Sequence, residues 1–253
     1  MGHTTGRKHL KRIASPKTWQ IPRKGYKWII KPNPGPHSLE MGMPIAVWLR
    51  EYLGIAKNMK EVRFMLNSGK VLVDNRPIRD PAFQVGLMDT ISIPEIDKYY
   101  RVLINQKLKL FLHEIPKEEA SKKVVRVTKK QTVKGGIIQV TGHDGRNFLV
   151  DNSIKVGDSL LITLPDQKIE KIIPVKSGTI VYFYYGAKAG TLGKVKEIKI
   201  LRKPFGHTRF IVYEDLITKD VKETVYDYAI PVGEGNIEIN LPFGQTVQEV
   251  TNE

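Results

Sequence analysis

Residues 43–93, MPIAVWLREYLGIAKNMKEVRFMLNSGKVLVDNRPIRDPAFQVGLMDTISI, decide how this chain folds. Ile45, Trp48, Leu49 and Tyr52 recur at helical spacing, so one face of a first helix is apolar. Gly54 stops it. Asn58 can cap a second helix, with Glu61 three residues later placed to reach back to the cap. Met59, Val62, Met65 and Leu66 form the inner face of this helix, and Gly69 sits where a left-handed terminal residue is wanted. Val71–Val73 reads as a strand, Asp74-Asn75-Arg76-Pro77 as a turn, and Thr90–Ile93 as another strand. Two short helices followed by a small hairpin structure make an α+β module.

Arg50, Lys57, Lys60, Arg63, Lys70, Arg76 and Arg79 fall largely on positions that this apolar pattern leaves free. Lys60 and Arg63, three apart, share one helix face. The helix-helix-Gly-Lys-Val-x-Val-Asp pattern resembles the S-four-type RNA-binding domain of ribosomal proteins, pseudouridine synthases and some tRNA synthetases. The competing reading is a module whose charges are merely solvated.

Charge argues for the first reading. The 253 residues hold 41 Lys and Arg against 26 Asp and Glu, a net +15, which favours a polyanionic partner through counterion release. No strongly amphipathic basic helix with aromatic anchors suggests a lipid surface, and no apolar run is long enough for a membrane span. The basic N-terminus lacks the apolar stretch of a secretory signal. Cysteine is absent, which removes disulfides and thiolate metal sites and fits a reducing compartment. The charge is uneven: residues 1–39 carry nine Lys or Arg and no acid, whereas 214–253 carry nine acids and two lysines. One end is suited to phosphate and the other to solvent or a basic protein neighbour.

Residues 1–42 read as an extended basic arm. Pro16, Pro22, Pro32, Pro34 and Pro36 forbid a long helix or a central strand, and few apolar residues are available for a core, so the arm is expected to take its shape from a partner. Arg7, Lys8, Lys11, Arg12, Lys17, Arg23, Lys24 and Lys27 are its candidate RNA contacts. Trp19, Tyr26 and Trp28 are interleaved with them, a pattern suited to base or ribose stacking beside phosphate. The alternative is that these rings pin the arm to its own protein, which is the expectation for Trp28-Ile29-Ile30. His3, His9 and His37 are too scattered to suggest a metal site.

A central β domain is expected over 98–174. Tyr99–Ile104 and Leu108–Leu112 form a hairpin, and a short helix follows Pro116. Strands at Val124–Val127, Ile137–Val140, Asn147–Val150 and Ser159–Thr163 are separated by Gly- and Asp-containing turns. Thr141-Gly-His-Asp-Gly-Arg-Asn147 holds a His-Asp pair that invites a catalytic reading. An Asp-Gly turn explains it better, with no second carboxylate or nucleophile nearby in sequence. An exposed turn would let His143, Arg146 and Asn147 contact RNA.

Residues 175–253 contain a strand at Ile180–Tyr185, a loop with Gly186, Gly190 and Gly193, and a strand at Lys194–Leu201. This unit resembles the KOW motif of small SH3-like barrels. Its glycines allow positive φ and close approach to a phosphodiester, with Lys188, Lys194 and Lys196 as contacts. A phosphate-binding P-loop is excluded, because Lys188 stands where its first glycine should be and Val195 follows Lys194. A dinucleotide fingerprint fails at the same Lys188. Further strands are expected at Thr208–Val212, Thr224–Tyr228 and Ile237–Ile239.

An arm, an S-four-type module over 43–97, a β domain and a KOW unit in this order resemble the archaeal and eukaryotic small-subunit ribosomal proteins of the S-four-e family, over essentially the whole chain. Lys8–Ala14, Pro34-Gly-Pro-His37, Val85-Gly-Leu-Met-Asp89, Tyr99-Tyr-Arg101 and His143-Asp-Gly-Arg-Asn147 carry the match beside the two modules. The resemblance implies a non-enzymatic, ribosome-bound cytoplasmic protein with small-subunit ribosomal RNA and neighbouring ribosomal proteins as partners. It implies no cofactor, metal, membrane or small-molecule substrate. Small domains in series would clamp folded RNA through phosphates and 2′-hydroxyls. The rivals are an RNA-modifying enzyme, which needs a larger catalytic domain than these β regions offer, and a KOW-type transcription elongation factor, which leaves the S-four-type module unexplained.

Overall fold

The computed structural model describes residues 9–203 and 206–242; Arg7 and Lys8 lie outside them. The protein is mostly β with few helices. The arm contributes β1 (Leu10–Lys11) and β2 (Trp28–Ile29), paired antiparallel. The two-helix module begins with β3 (Gly42–Pro44), which later pairs with β6 (Gln84–Gly86). Helix α1 (Ile45–Val47) continues as a π-helical turn, Trp48–Tyr52, closed by Leu53 N donating to Trp48 O at 2.9 Å. Ile45 to Leu49 are all buried, Ala46 and Val47 included, and Tyr52 is half-buried, so this helix is enclosed on every side where one apolar face was expected. Helix α2 (Met59–Asn67) starts at Asn58, whose Oδ1 accepts from Lys60 N and Glu61 N at 2.9 and 3.0 Å. Glu61 reaches back past the cap to accept from Lys57 N at 2.6 Å.

Asp74 and Asn75 both take positive φ, 50° and 59°, and so make the tight turn between β4 (Leu72–Val73) and β5 (Arg76–Pro77). These strands join β7 (Thr90–Ile93), β8 (Lys98–Ile104) and β9 (Leu110–Glu114) in one antiparallel sheet of order β5-β4-β7-β8-β9. The 98–114 hairpin, expected in the central domain, thus completes the module's own sheet across the expected 97/98 boundary. Pairing of Thr90–Ile93 with Lys98–Arg101 carries the ladder through.

The central strands are β10 (Lys122–Thr132), β11 (Ile138–Gly142), β12 (Asn147–Val150), β13 (Ser159–Thr163) and β14 (Ile169–Ile173), in order β12-β11-β10-β13-β14. Strand β10 pairs with β13 along its first half and with β11 along its second, on either side of an irregularity at Val127–Lys129. The last sheet contains β15 (Thr179–Phe183), β16 (Leu192–Lys203), β17 (Gly206–Asp215), β18 (Val221–Val225) and β19 (Ala229–Glu234), in order β18-β17-β16-β15-β19. The strand expected at Ile237–Ile239 is irregular chain. The edge strand is β19 instead, where Pro231 sits beside a register shift and gives up no interior hydrogen bond. Beyond the Lys199–Phe210 pair, β16 and β17 have no third strand beside them among the described residues and form a two-stranded ribbon.

Apolar residues gather in cores that ignore the sequence divisions. One joins Trp19 and Ile29 of the arm to Trp48, Leu49, Val62, Leu66, Ile91 and Val102. Another joins Leu103, Ile104 and Phe111 to Val124, Leu161, Tyr182, Ile230 and Val232, and so spans the three five-stranded sheets. Tyr182 Oη donates to Ile104 O at 2.5 Å and accepts from Ile104 N at 3.0 Å, which fixes the last sheet to the first.

Candidate nucleic-acid interface

The outer face of α2 follows from its pattern. With Val62 and Leu66 turned inward, Lys60, Arg63, Phe64 and Asn67 are exposed, and Lys57 stands exposed just before the cap. Phe64, which the sequence reading did not single out, is 67% exposed, with Lys70 Nζ 5.8 Å from its ring centroid. Lys70 also pairs with Glu95 at 2.9 Å. Arg76 and Arg79 are exposed on and after β5; Arg76 Nη2 donates to Pro165 O at 3.1 Å. Arg50 is half-buried against Glu51 at 2.6 Å. A run of cations around one exposed ring can meet phosphates and a base face together.

Among the described residues the arm is folded onto the module, which corrects the expectation that it lacks a shape of its own. Trp19 is buried, and its Nε1 donates to Leu39 O and Gly42 O at 3.2 and 3.0 Å, so it packs and does not stack on RNA. Trp28 is half exposed while Ile29 is buried, because consecutive strand residues face opposite ways. Of Trp28-Ile29-Ile30, it is Ile29 and the half-buried Ile30 that pin the arm to the core. Lys11, Lys17, Lys24 and Lys27 are exposed.

Arg12 corrects the charge-based reading. It is buried, with Nη2 and Nη1 2.8 and 3.2 Å from the two carboxylate oxygens of Glu51. Burial alone would raise the Glu51 carboxyl, but hydrogen bonds from Arg12 and Arg50 outweigh it and hold the group below its ordinary value. Arg23 donates to the carbonyls of Ile13, Ser15 and Pro16 at 2.9–3.1 Å and closes the arm on itself.

The 142–147 turn is a larger correction. Gly145 has φ +74°, as an Asp-Gly turn requires, yet the turn faces inward. Lys123 is fully buried, its Nζ 2.8 Å from Asp74 Oδ2 and 3.1 Å from Asp144 Oδ2, and it is also paired with Asp89. Arg146 pairs with Asp74, and its Nε is 3.1 Å from Asp144 Oδ2. Asp89 Oδ2 lies 2.9 Å from His37 Nε2 and accepts from Gly86 N at 2.8 Å. Gly86 is required here: a Cβ would stand 2.4 Å from the His37 ring. Burial would discharge Lys123, but the carboxylates of Asp74, Asp89 and Asp144 overcome it and hold the ammonium above its ordinary value. Burial likewise opposes the charge on Asp89, and His37 and Lys123 outweigh it.

His143 Nδ1 accepts from Arg126 N at 3.1 Å, and Nε2 faces Leu87 O at 3.3 Å, as the neutral ring requires. Burial pushes its pKa down to about 4 against the opposing pull of Asp144. His143 and Arg146 are half-buried and bonded to the protein interior, unlike the exposed turn expected for RNA contact. Asn147 is exposed, its Oδ1 accepting from Thr141 Oγ1 at 2.6 Å. Among the described residues no set of His, Asp and Glu is arranged to hold a metal, and no helix is long and apolar enough to cross a membrane.

In the last sheet, Gly186 and Gly190 take positive φ, as the loop reading expects. The close approach at Gly190 is to the protein itself, where a Cβ would fall 2.6–2.7 Å from the Asn105–Gln106 backbone. At Gly193 a Cβ would fall 2.2 Å from the Tyr213 ring. These two glycines serve internal packing and not a phosphodiester. Lys188 is half-buried, Lys194 is exposed, and Lys196 is exposed beside Glu214 at 2.9 Å.

Three family descriptions match consecutive parts of the chain: the RS4NT domain over residues 4–40, the S4 domain over 43–91, and ribosomal family S4e over 96–169. The small ribosomal subunit protein eS4 of Nanoarchaeum equitans is 47% identical over 230 residues, covering 90% of this chain and 96% of that one. Its counterpart in Methanothermobacter thermautotrophicus is 39% identical, covering 97% and 100%. The crystal structure of the 30S ribosomal protein S4e from Thermoplasma acidophilum superposes with a TM-score of 0.65 at 31% identity, covering 77% of this chain and 96% of that one.

Proposed function

The chain belongs to the ribosomal S4e family, and from that premise we propose that it is a structural constituent of the small ribosomal subunit that binds ribosomal RNA. The observation that carries this is the 47% identity to a small-subunit protein across 96% of that protein's length. The S4 domain match and the exposed cations of α2 support RNA as the ligand. The protein works by position and not by catalysis, and its partners are ribosomal RNA and adjoining ribosomal proteins.

Within that role, Lys11, Lys17, Lys24, Lys27, Lys57, Lys60, Arg63, Arg76, Arg79, Asn147, Lys188 and Lys194 are the proposed RNA contacts. Arg50, Lys70 and Lys196 join them by exchanging or sharing their carboxylate partners. The strand-loop-strand of β15 and β16 supports a KOW-type reading of residues 175–253, with the five-stranded sheet as the wall of an SH3-like barrel. Sedimentation of cell lysate through a sucrose gradient tests the assignment. Co-migration with the small subunit that survives moderate salt is expected; recovery only at the top of the gradient, or with RNA polymerase, would overturn it.

A further inference from the structure

The guanidinium of the buried Arg12 lies under the ring of Tyr26, with Cζ 5.7 Å from the ring centroid. That cation is immobile: two bonds to Glu51 and one from Nη1 to Pro22 O at 2.9 Å fix its plane. The backbone beneath, just past the β1–β2 pairing, is fixed as well, with Arg12 N donating to Lys27 O at 3.0 Å. Tyr26 nevertheless keeps 77% of its surface in water. It is an aromatic ring held from below and open above.

Its surroundings select the occupant. Lys24 and Lys27 are exposed on either side, residues 1–39 contain no acid, and the nearby carboxylate of Glu51 is already bound by two arginines. Two positions on, Trp28 is half exposed with Lys27 Nζ 5.3 Å from its centroid. An apolar protein patch would bury these lysines at a desolvation cost, whereas a nucleotide supplies a flat π-face for the ring and a phosphate for the lysines.

We propose that Tyr26, seated on Arg12, is a stacking platform for one unpaired nucleobase of ribosomal RNA, with Lys24 and Lys27 meeting its flanking phosphates. This rests on the RNA-binding role proposed above. Stacking needs the ring and not the hydroxyl, and a neutral ring releases no counterion.

The test is binding of the full chain to small-subunit ribosomal RNA transcribed from the source organism, measured across salt concentrations for Tyr26→Ala, Tyr26→Phe, Lys27→Ala and Lys60→Ala. Tyr26→Ala is expected to weaken binding about 5- to 100-fold with an unchanged salt slope and an unchanged melting temperature. Tyr26→Phe is expected to stay within about twofold of wild type, and Lys27→Ala to lower the salt slope by about one. Wild-type affinity in Tyr26→Ala, with Lys60→Ala still impaired, would overturn the platform and leave the RNA-binding role standing. Salt-insensitive or absent binding by the wild-type chain would overturn that role itself. Ultraviolet cross-linking of intact small subunits gives a second readout. A Tyr26 cross-link to a nucleobase is expected, and a Tyr26 cross-link to a protein alone would overturn the proposal.

Discussion

Lys123 touches three carboxylates in a buried site, so its removal leaves Asp74 and Asp144 to share Arg146 and leaves Asp89 with His37 alone among side chains. Lys123→Met is therefore expected to lower stability by about 3–5 kcal/mol, read as a shift of the urea midpoint with little change in its slope. His143 sets a pH dependence of opposite origin. Its folded pKa, about 4, lies below the ordinary 6.5, so the unfolded chain takes up a proton that the folded one refuses. Stability is full above pH 6.5 and falls as pH drops towards 4, by about 3 kcal/mol, and His143→Gln is expected to flatten urea midpoints across that window. None of this could be read from the sequence. Arg12 and Arg146 carry the same sign as Lys60, and the carboxylates that claim them, Glu51 and Asp74, lie 39 and 72 residues away. The stretches around His37, Asp89 and His143–Asn147 carry much of the family resemblance, yet only the fold shows that they meet.

Helix α2 is the element whose reading needed least outside help. Its cap, inner face and terminal glycine are all local, and each took the expected place. Asn58→Ala is expected to cost about 1 kcal/mol in thermal unfolding, since two amide donors lose their acceptor. Lys60→Ala and Arg63→Ala remove exposed charges from the same helix. Each is expected to leave the melting temperature unchanged and to lower the slope of log affinity against log salt by about one. The strands at 98–114 show where local reading stops. Their alternation and turn were legible, but an edge of that alternation does not say which sheet will receive it. Register with Thr90–Ile93 decides that. Likewise the edge strand β19, which pairs with β15 across a register shift beside Pro231, was not among the strands expected there.

At the scale of the molecule, modules legible as separate units of sequence share their cores. Gly190 shows how tightly, since its loop meets the Asn105–Gln106 turn at a separation that admits no side chain. Gly190→Ala combines that clash with a positive φ and is expected to destabilise by about 2 kcal/mol or more. Calorimetry of the wild type is expected to give one transition, because the core shared by the three sheets cannot be divided. The bond between Tyr182 and Ile104 spans 78 positions of chain. A ribosome adding about 5–20 residues per second takes roughly 4–16 s to cover that distance. Through that interval Leu103 and Ile104 have emerged and the strand that covers them has not been made. A member of a ribosomal protein family is thus itself open to aggregation while a ribosome is making it, for as long as its last sheet is still to come.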